Sequence, residues 1–264
     1  MKLISVGLLL LTFGFSQLSW GQFDEESKAV KKPDLSVSSE EYEALKTAVK
    51  RKSEKLVIDA ASKILAKDSK DLKALNALGV FYFKANKTGM AKIIFNRALK
   101  DHGDERALHN NLALVYLAED DLRSALTSFR KSISLSGKYQ LGTLNLSSIL
   151  IQHYDFRRAL SPLEDAYDEV ESDLRRGRGT AVDIANNYAV ALMGTGEGRK
   201  AKRIFKKIID GGSRDPDVYL NYAVLLVDLL GDKKDGQRIL SKLQFMTEDK
   251  KILRLVGELE KRAK

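Results

Sequence analysis

The sequence predicts an all-α fold, a solenoid of stacked helical hairpins, and three observations carry that expectation. A 34-residue unit recurs along most of the chain. Within each unit, small and large apolar residues fall at helical spacing on two separate stretches. Only three prolines interrupt 264 residues, and 44% apolar with 31% charged residues is the balance of a folded, water-facing chain. The absence of cysteine excludes disulfides, thiolate metal sites, cysteine nucleophiles and a lipid-modified N-terminal cysteine.

The N-terminus stands apart from the repeats. Met1 and Lys2 precede an apolar run from Leu3 to Phe15, followed by small residues at Ser19 and Gly21. This is the layout of an export signal over residues 1–21, cleaved after Gly21. The run is short of the ~20 residues that a spanning helix needs, so an uncleaved anchor is the weaker alternative. Export without disulfides fits a bacterial periplasm, with outer-membrane or cell-wall association left open. Residues 22–37 are polar, contain Pro33 and show no apolar period, and so form a flexible leader.

The copies run over 72–105, 106–139 and 140–173, then over 182–215 and 216–250, and a degenerate copy at 38–71 precedes them. In 72–105, Leu75, Leu78, Gly79 and Tyr82 make one stripe, and Ala91, Phe95 and Ala98 a second. The next copy repeats this with Leu112, Ala113, Tyr116, Ala125 and Phe129, and the third with Leu146, Ser147, Ala159, Leu163 and Ala166. Tyr188, Ala189, Leu192, Ala201 and Phe205 continue it, and the last copy gives Tyr219, Tyr222, Ala223, Leu226 and Gly236, with one extra residue in its inner turn. The first copy keeps only Ala44, Ala48, Val57 and Ala61.

These residues and their spacing resemble the tetratricopeptide repeat (TPR) family over about four fifths of the chain. The resemblance implies a right-handed solenoid in which the first helix of each copy lines a concave groove. Independently of any family, the small residues let two helices approach and the aromatics fill the space beside them. One copy cannot bury its stripes alone, so copies must stack. Ser38 with Glu41 three residues on forms a capping box for the first helix. Residues 174–181 interrupt the repeat as a helix extension and a glycine-bearing loop, and 251–264 close the array as an amphipathic cap. Thirteen helices result.

Little in the chain suggests catalysis. His102, His109 and His153 have no carboxylate at ligand spacing, no nucleophile motif surrounds any serine, and GTGEGRK at 194–200 falls where an inner turn belongs. We therefore expect a non-enzymatic protein with no cofactor and no metal.

The first-helix face is more informative. Asn111, Asn145, Asn187 and Asn221 recur at repeat position 6, and Asn76, Asn110 and Asn186 at position 5. Amides both donate and accept, so a ladder of them could hold an extended peptide backbone, as in some TPR proteins, or could bond to neighbouring helices. Positions 9 and 12 add a second apolar stripe that includes Phe83, Leu117, Ile151 and Met193. It either faces a partner across an exposed groove or packs between adjacent first helices. The Lys and Asn pair of the TPR carboxylate clamp is missing, so an acidic chaperone tail is not the expected ligand. The net charge of +9 is concentrated at Arg199, Lys200, Lys202, Arg203, Lys206 and Lys207, on an outer helix face. Arg175, Arg176 and Arg178 form a smaller basic spot.

The sequence thus points to a scaffold or adaptor in a cell-envelope complex that binds a peptide or helix of another protein. The alternative is a self-associating or surface-tethering protein that uses the basic face. Nucleic acid is not an expected partner.

Overall fold

The computed structural model describes residues 37–135, 139–177 and 179–263. The expected export signal and all of the leader except Val37 lie outside the described residues, as does Arg178. Contacts divide the chain at Gly142/Thr143 into two units, which are taken in turn.

The N-terminal unit opens with α1 (Ser39–Lys50) and α2 (Glu54–Lys67), followed by α3 (Leu72–Lys84), α4 (Thr88–Asp101), α5 (Arg106–Ala118) and α6 (Leu122–Ser134). The capping box is formed: the Glu41 N–H donates to Ser38 Oγ at 3.3 Å and the Ser38 N–H to Glu41 Oε2 at 2.9 Å. Asp71 and Asp121 cap α3 and α6 in the same way, each accepting a backbone N–H from the first turn. Each helix packs on its sequence neighbour, with Leu45, Val57, Ile64, Leu75, Phe95 and Leu108 in the core. Gly79 marks the closest approach: a Cβ built there would lie 2.5 Å from a ring atom of Phe95, itself fully buried.

Helix α7 (Gln140–Gln152) straddles the division. The C-terminal unit continues with α8 (Phe156–Val170) and α9 (Thr180–Gly194), then α10 (Gly198–Asp210), α11 (Pro216–Val224), α12 (Lys233–Met246) and α13 (Lys250–Ala263). The interruption after α8 is a 3₁₀ turn, Glu171–Arg176, ended by Gly177 in the left-handed region at φ 64°. The extra residue of the last copy is taken up by a π turn over Leu225–Leu229, in which the Leu230 N–H reaches back to the Leu225 carbonyl at 3.0 Å. The closing helix α13 buries Ile252, Val256 and Leu259, with Leu255 half-buried. Thirteen α-helices are present among the described residues, and no strand.

The inner turns share one device. Lys52, Asn86, Asp120 and Tyr154 each have φ between 52° and 59°, at intervals of one repeat, and Gly196 and Gly231 take the same place in the last two hairpins. A left-handed residue there turns the chain sharply enough to lay the second helix on the first. Asn and Asp tolerate this conformation, whereas Lys and Tyr are strained in it.

Two stability outcomes follow. Lys52→Gly removes turn strain and should stabilise the chain by about 0.5–1 kcal/mol in denaturant melts, with a smaller gain for Asp120→Gly. Gly79→Ala forces a methyl into the Phe95 ring and should cost about 1–2 kcal/mol despite the better helix propensity of Ala, and Gly79→Leu more.

Candidate functional site

The amides on the first helices are drawn together within each unit. In the N-terminal unit the Nδ2 of Asn111 donates to Asn76 Oδ1 at 2.9 Å, and Asn110 Nδ2 approaches Asn111 Oδ1 at 3.4 Å. In the C-terminal unit Asn221 Nδ2 donates to Asn186 Oδ1 at 3.1 Å. The rule is one of register: position 6 of one copy donates to position 5 of the copy before it. Where position 5 is Leu144, Asn187 turns instead to Ser147 Oγ at 3.3 Å and Ser148 Oγ at 3.0 Å. Asn145 is fully buried and Asn76 half-buried. Much of the ladder's bonding capacity therefore joins neighbouring helices, the second of the two roles open to it.

The second apolar stripe is interior. Leu117, Ile151 and Met193 are buried, together with Val80, Leu114, Val190, Val224 and Val227, and only Phe83 keeps part of its surface. Of the two roles open to the stripe, this burial agrees with packing between helices and not with an exposed groove. Side chains at positions 9 and 12 fill the space between packed helices, where removing apolar surface from water favours burial.

The basic cluster lies on α10 with Arg199, Lys200, Arg203, Lys206 and Lys207 exposed and Lys202 half-buried, while Ala201, Ile204, Phe205 and Ile208 face inward. Three of the six are ion-paired: Lys200 with Glu197 at 2.7 Å, Lys202 with Asp232 at 2.8 Å, and Lys207 with Glu171. Arg199, Arg203 and Lys206 have no ion pair among the described residues. His102 and His109 lie beside the backbone carbonyls of Lys70 and Gly103. No group of His, Asp and Glu among the described residues is placed to hold a metal ion. GTGEGRK forms the inner turn between α9 and α10.

One constellation goes beyond those expectations. Asp183, on the first turn of α9, and Asp215 and Asp217, at the start of α11, surround an open hollow of about 310 Å³ with Leu144, Ser148, Asn186 and Asn187. Asp215 caps α11 by accepting the Asp217 N–H at 2.9 Å. No cation lies within ion-pair distance of any of the three carboxylates among the described residues. Burial, reinforced by the charges of Asp215 and Asp217, pushes Asp183 up to about 6. Burial, with the charges of Asp215 and Asp249, does the same to Asp217. Two carboxyls perturbed in one hollow, each an unpaired charge, mark a functional candidate. The sequence carried a signal for it. Asp occupies repeat position 2 in two consecutive copies, and position 2 borders the first-helix face.

Comparison with known proteins agrees with the fold. Residues 107–139 match the tetratricopeptide repeat model, within one residue of the 106–139 copy. The fold around this stretch is that of solved TPR proteins. YrrB, a TPR protein described as having an unusual peptide-binding site, is 16% identical, with 76% of this chain and 98% of that one covered at a TM-score of 0.62. PilF of Pseudomonas aeruginosa is 20% identical, with 73% and 86% covered at 0.57. The C-terminal part of a TPR repeat-containing protein from Cytophaga hutchinsonii is 15% identical, with 78% of each chain covered at 0.59. At these identities the likeness is one of fold. No curated protein sequence matches the chain.

The two raised carboxyls set a test of their energetics. Between about pH 4 and 6 the folded chain holds protons that the unfolded chain releases, so these groups lower stability as pH rises through that window. Asp183→Asn and Asp217→Asn should therefore each stabilise the chain by about 1–2 kcal/mol in urea melts at pH 7.5, and the gain should vanish near pH 4.

Proposed function

We propose that the chain is a binding scaffold whose first-helix face holds an extended segment of a protein partner. The TPR fold is that of protein-interaction scaffolds. The observation that carries the reading is the hollow in the C-terminal unit, where unpaired carboxylates and the amides of Asn186 and Asn187 meet on the first-helix face. Half-buried charge without a partner and spare amide groups cost stability in the free protein and are useful when a ligand supplies their partners. The peptide-binding site attributed to YrrB lends support by analogy of fold. The role is one of binding rather than catalysis. The apolar stretch from Leu3 to Phe15, with its basic start and small residues, supports export and a partner in the cell envelope.

A second reading rests on a separate observation. Arg199, Arg203 and Lys206 lie unpaired among the described residues on the outer face of α10, which suits attachment to an anionic surface. The two are separated by a photo-crosslinking amino acid placed in the full-length chain at Phe83 or Gln152, on first helices, or at Arg203. Protein adducts from Phe83 and Gln152 and none from Arg203 are expected. Adducts from Arg203 alone, with sedimentation on anionic vesicles that high salt abolishes, would replace the groove reading with tethering.

A further inference from the structure

The hollow in the C-terminal unit defines what its occupant must supply. Three carboxylates converge on it without a cation among the described residues, and those of Asp183 and Asp217 make no hydrogen bond there. The hollow is open, and its three carboxylates are half-buried. A lysine suits it, because its ammonium is a compact point charge on a flexible stem that can enter from the open side. The carboxylates are not grouped to hold a metal ion.

The amides in the same wall point to a peptide rather than a free amine. Asn187, 2% exposed, donates through Nδ2 to Ser147 and Ser148, and its Oδ1 accepts nothing among the described residues. Asn186, 4% exposed, accepts from Asn221 through Oδ1, and its Nδ2 donates to nothing there. Two of the residues that line the hollow thus keep an unused amide atom, an acceptor on Asn187 and a donor on Asn186, the complement of a backbone N–H and C=O. Resting on the scaffold reading above, we propose that the C-terminal unit recognises a lysine-bearing peptide segment, its ammonium seated among Asp183, Asp215 and Asp217 and its backbone paired with Asn186 and Asn187. The N-terminal unit has Lys73 and Ala107 at the repeat positions of Asp183 and Asp217, so this pair of carboxylates is not repeated there.

The test titrates the full-length chain with fluorescent Ala-Ala-Lys-Ala-Ala, blocked at both ends, and with the same peptide carrying norleucine in place of lysine. The lysine peptide should bind about tenfold more tightly, and Asp183→Asn/Asp217→Asn should bring the two within about twofold of each other. That double variant is expected to be more stable than wild type, so a loss of binding is not a loss of fold. Equal binding of the two peptides, an unchanged preference in the double variant, or no binding of either would each overturn the proposal. Adducts at Phe83 and Gln152 would still uphold the scaffold reading in those cases. Displacement of the lysine peptide by n-butylamine at a concentration no higher than a blocked lysine amide requires would overturn the peptide half, because butylamine carries the cation without the backbone groups.

Discussion

Everything in this molecule depends on how near two helix backbones are allowed to come. The Phe95 ring lies where a side chain on Gly79 would otherwise be, and Ala113 and Ala189 are fully buried at the matching small position of later hairpins. Close approach sets the hairpin, the hairpin sets which residues of each first helix meet the next one, and only then do amides and carboxylates fall together. The left-handed residue in each inner turn serves the same end. Lys52 and Tyr154 hold this conformation although their side chains disfavour it, so packing of the flanking helices outweighs the local strain.

The fold was legible because its signals are local and repeated. Small residues, aromatics and caps recur at fixed intervals, and each copy repeats the message of the one before. The fate of the first-helix side chains was less legible. Sequence places an amide on a face but does not say what stands opposite. Asn111 finds Asn76 and Asn221 finds Asn186, whereas Asn187 meets serines because Leu144 offers no amide. The apolar stripe of Leu117, Ile151 and Met193 was ambiguous for a related reason: three-residue spacing reports a shared face, and neighbouring helices decide whether that face meets water. Asp183 and Asp217 look like ordinary solvated acids until two hairpins bring their helix starts together.

The candidate site also shows how a scaffold can be rigid and receptive at once. Much of the amide capacity is used in joining helices, which holds the wall in place, and a remainder is left unused beside charge that no described residue neutralises. Such a site is preorganised: its groups are already desolvated and held, so a ligand of matching chemistry loses little in ordering them.

The π turn at Leu225–Leu229 keeps the last hairpin in register. A surplus residue in a hairpin has two outlets, a longer loop or a wider helical turn, and here the helix took it. Gly231 thereby keeps the left-handed place that its counterparts hold in the other hairpins, and α12 begins in register. The bulge holds the one residue by which this copy exceeds the 34 of the others, and the helix ends on either side keep their places. A tandem array can thus carry copies of unequal length without moving the contacts between them, where the backbone of one helix can widen by a turn.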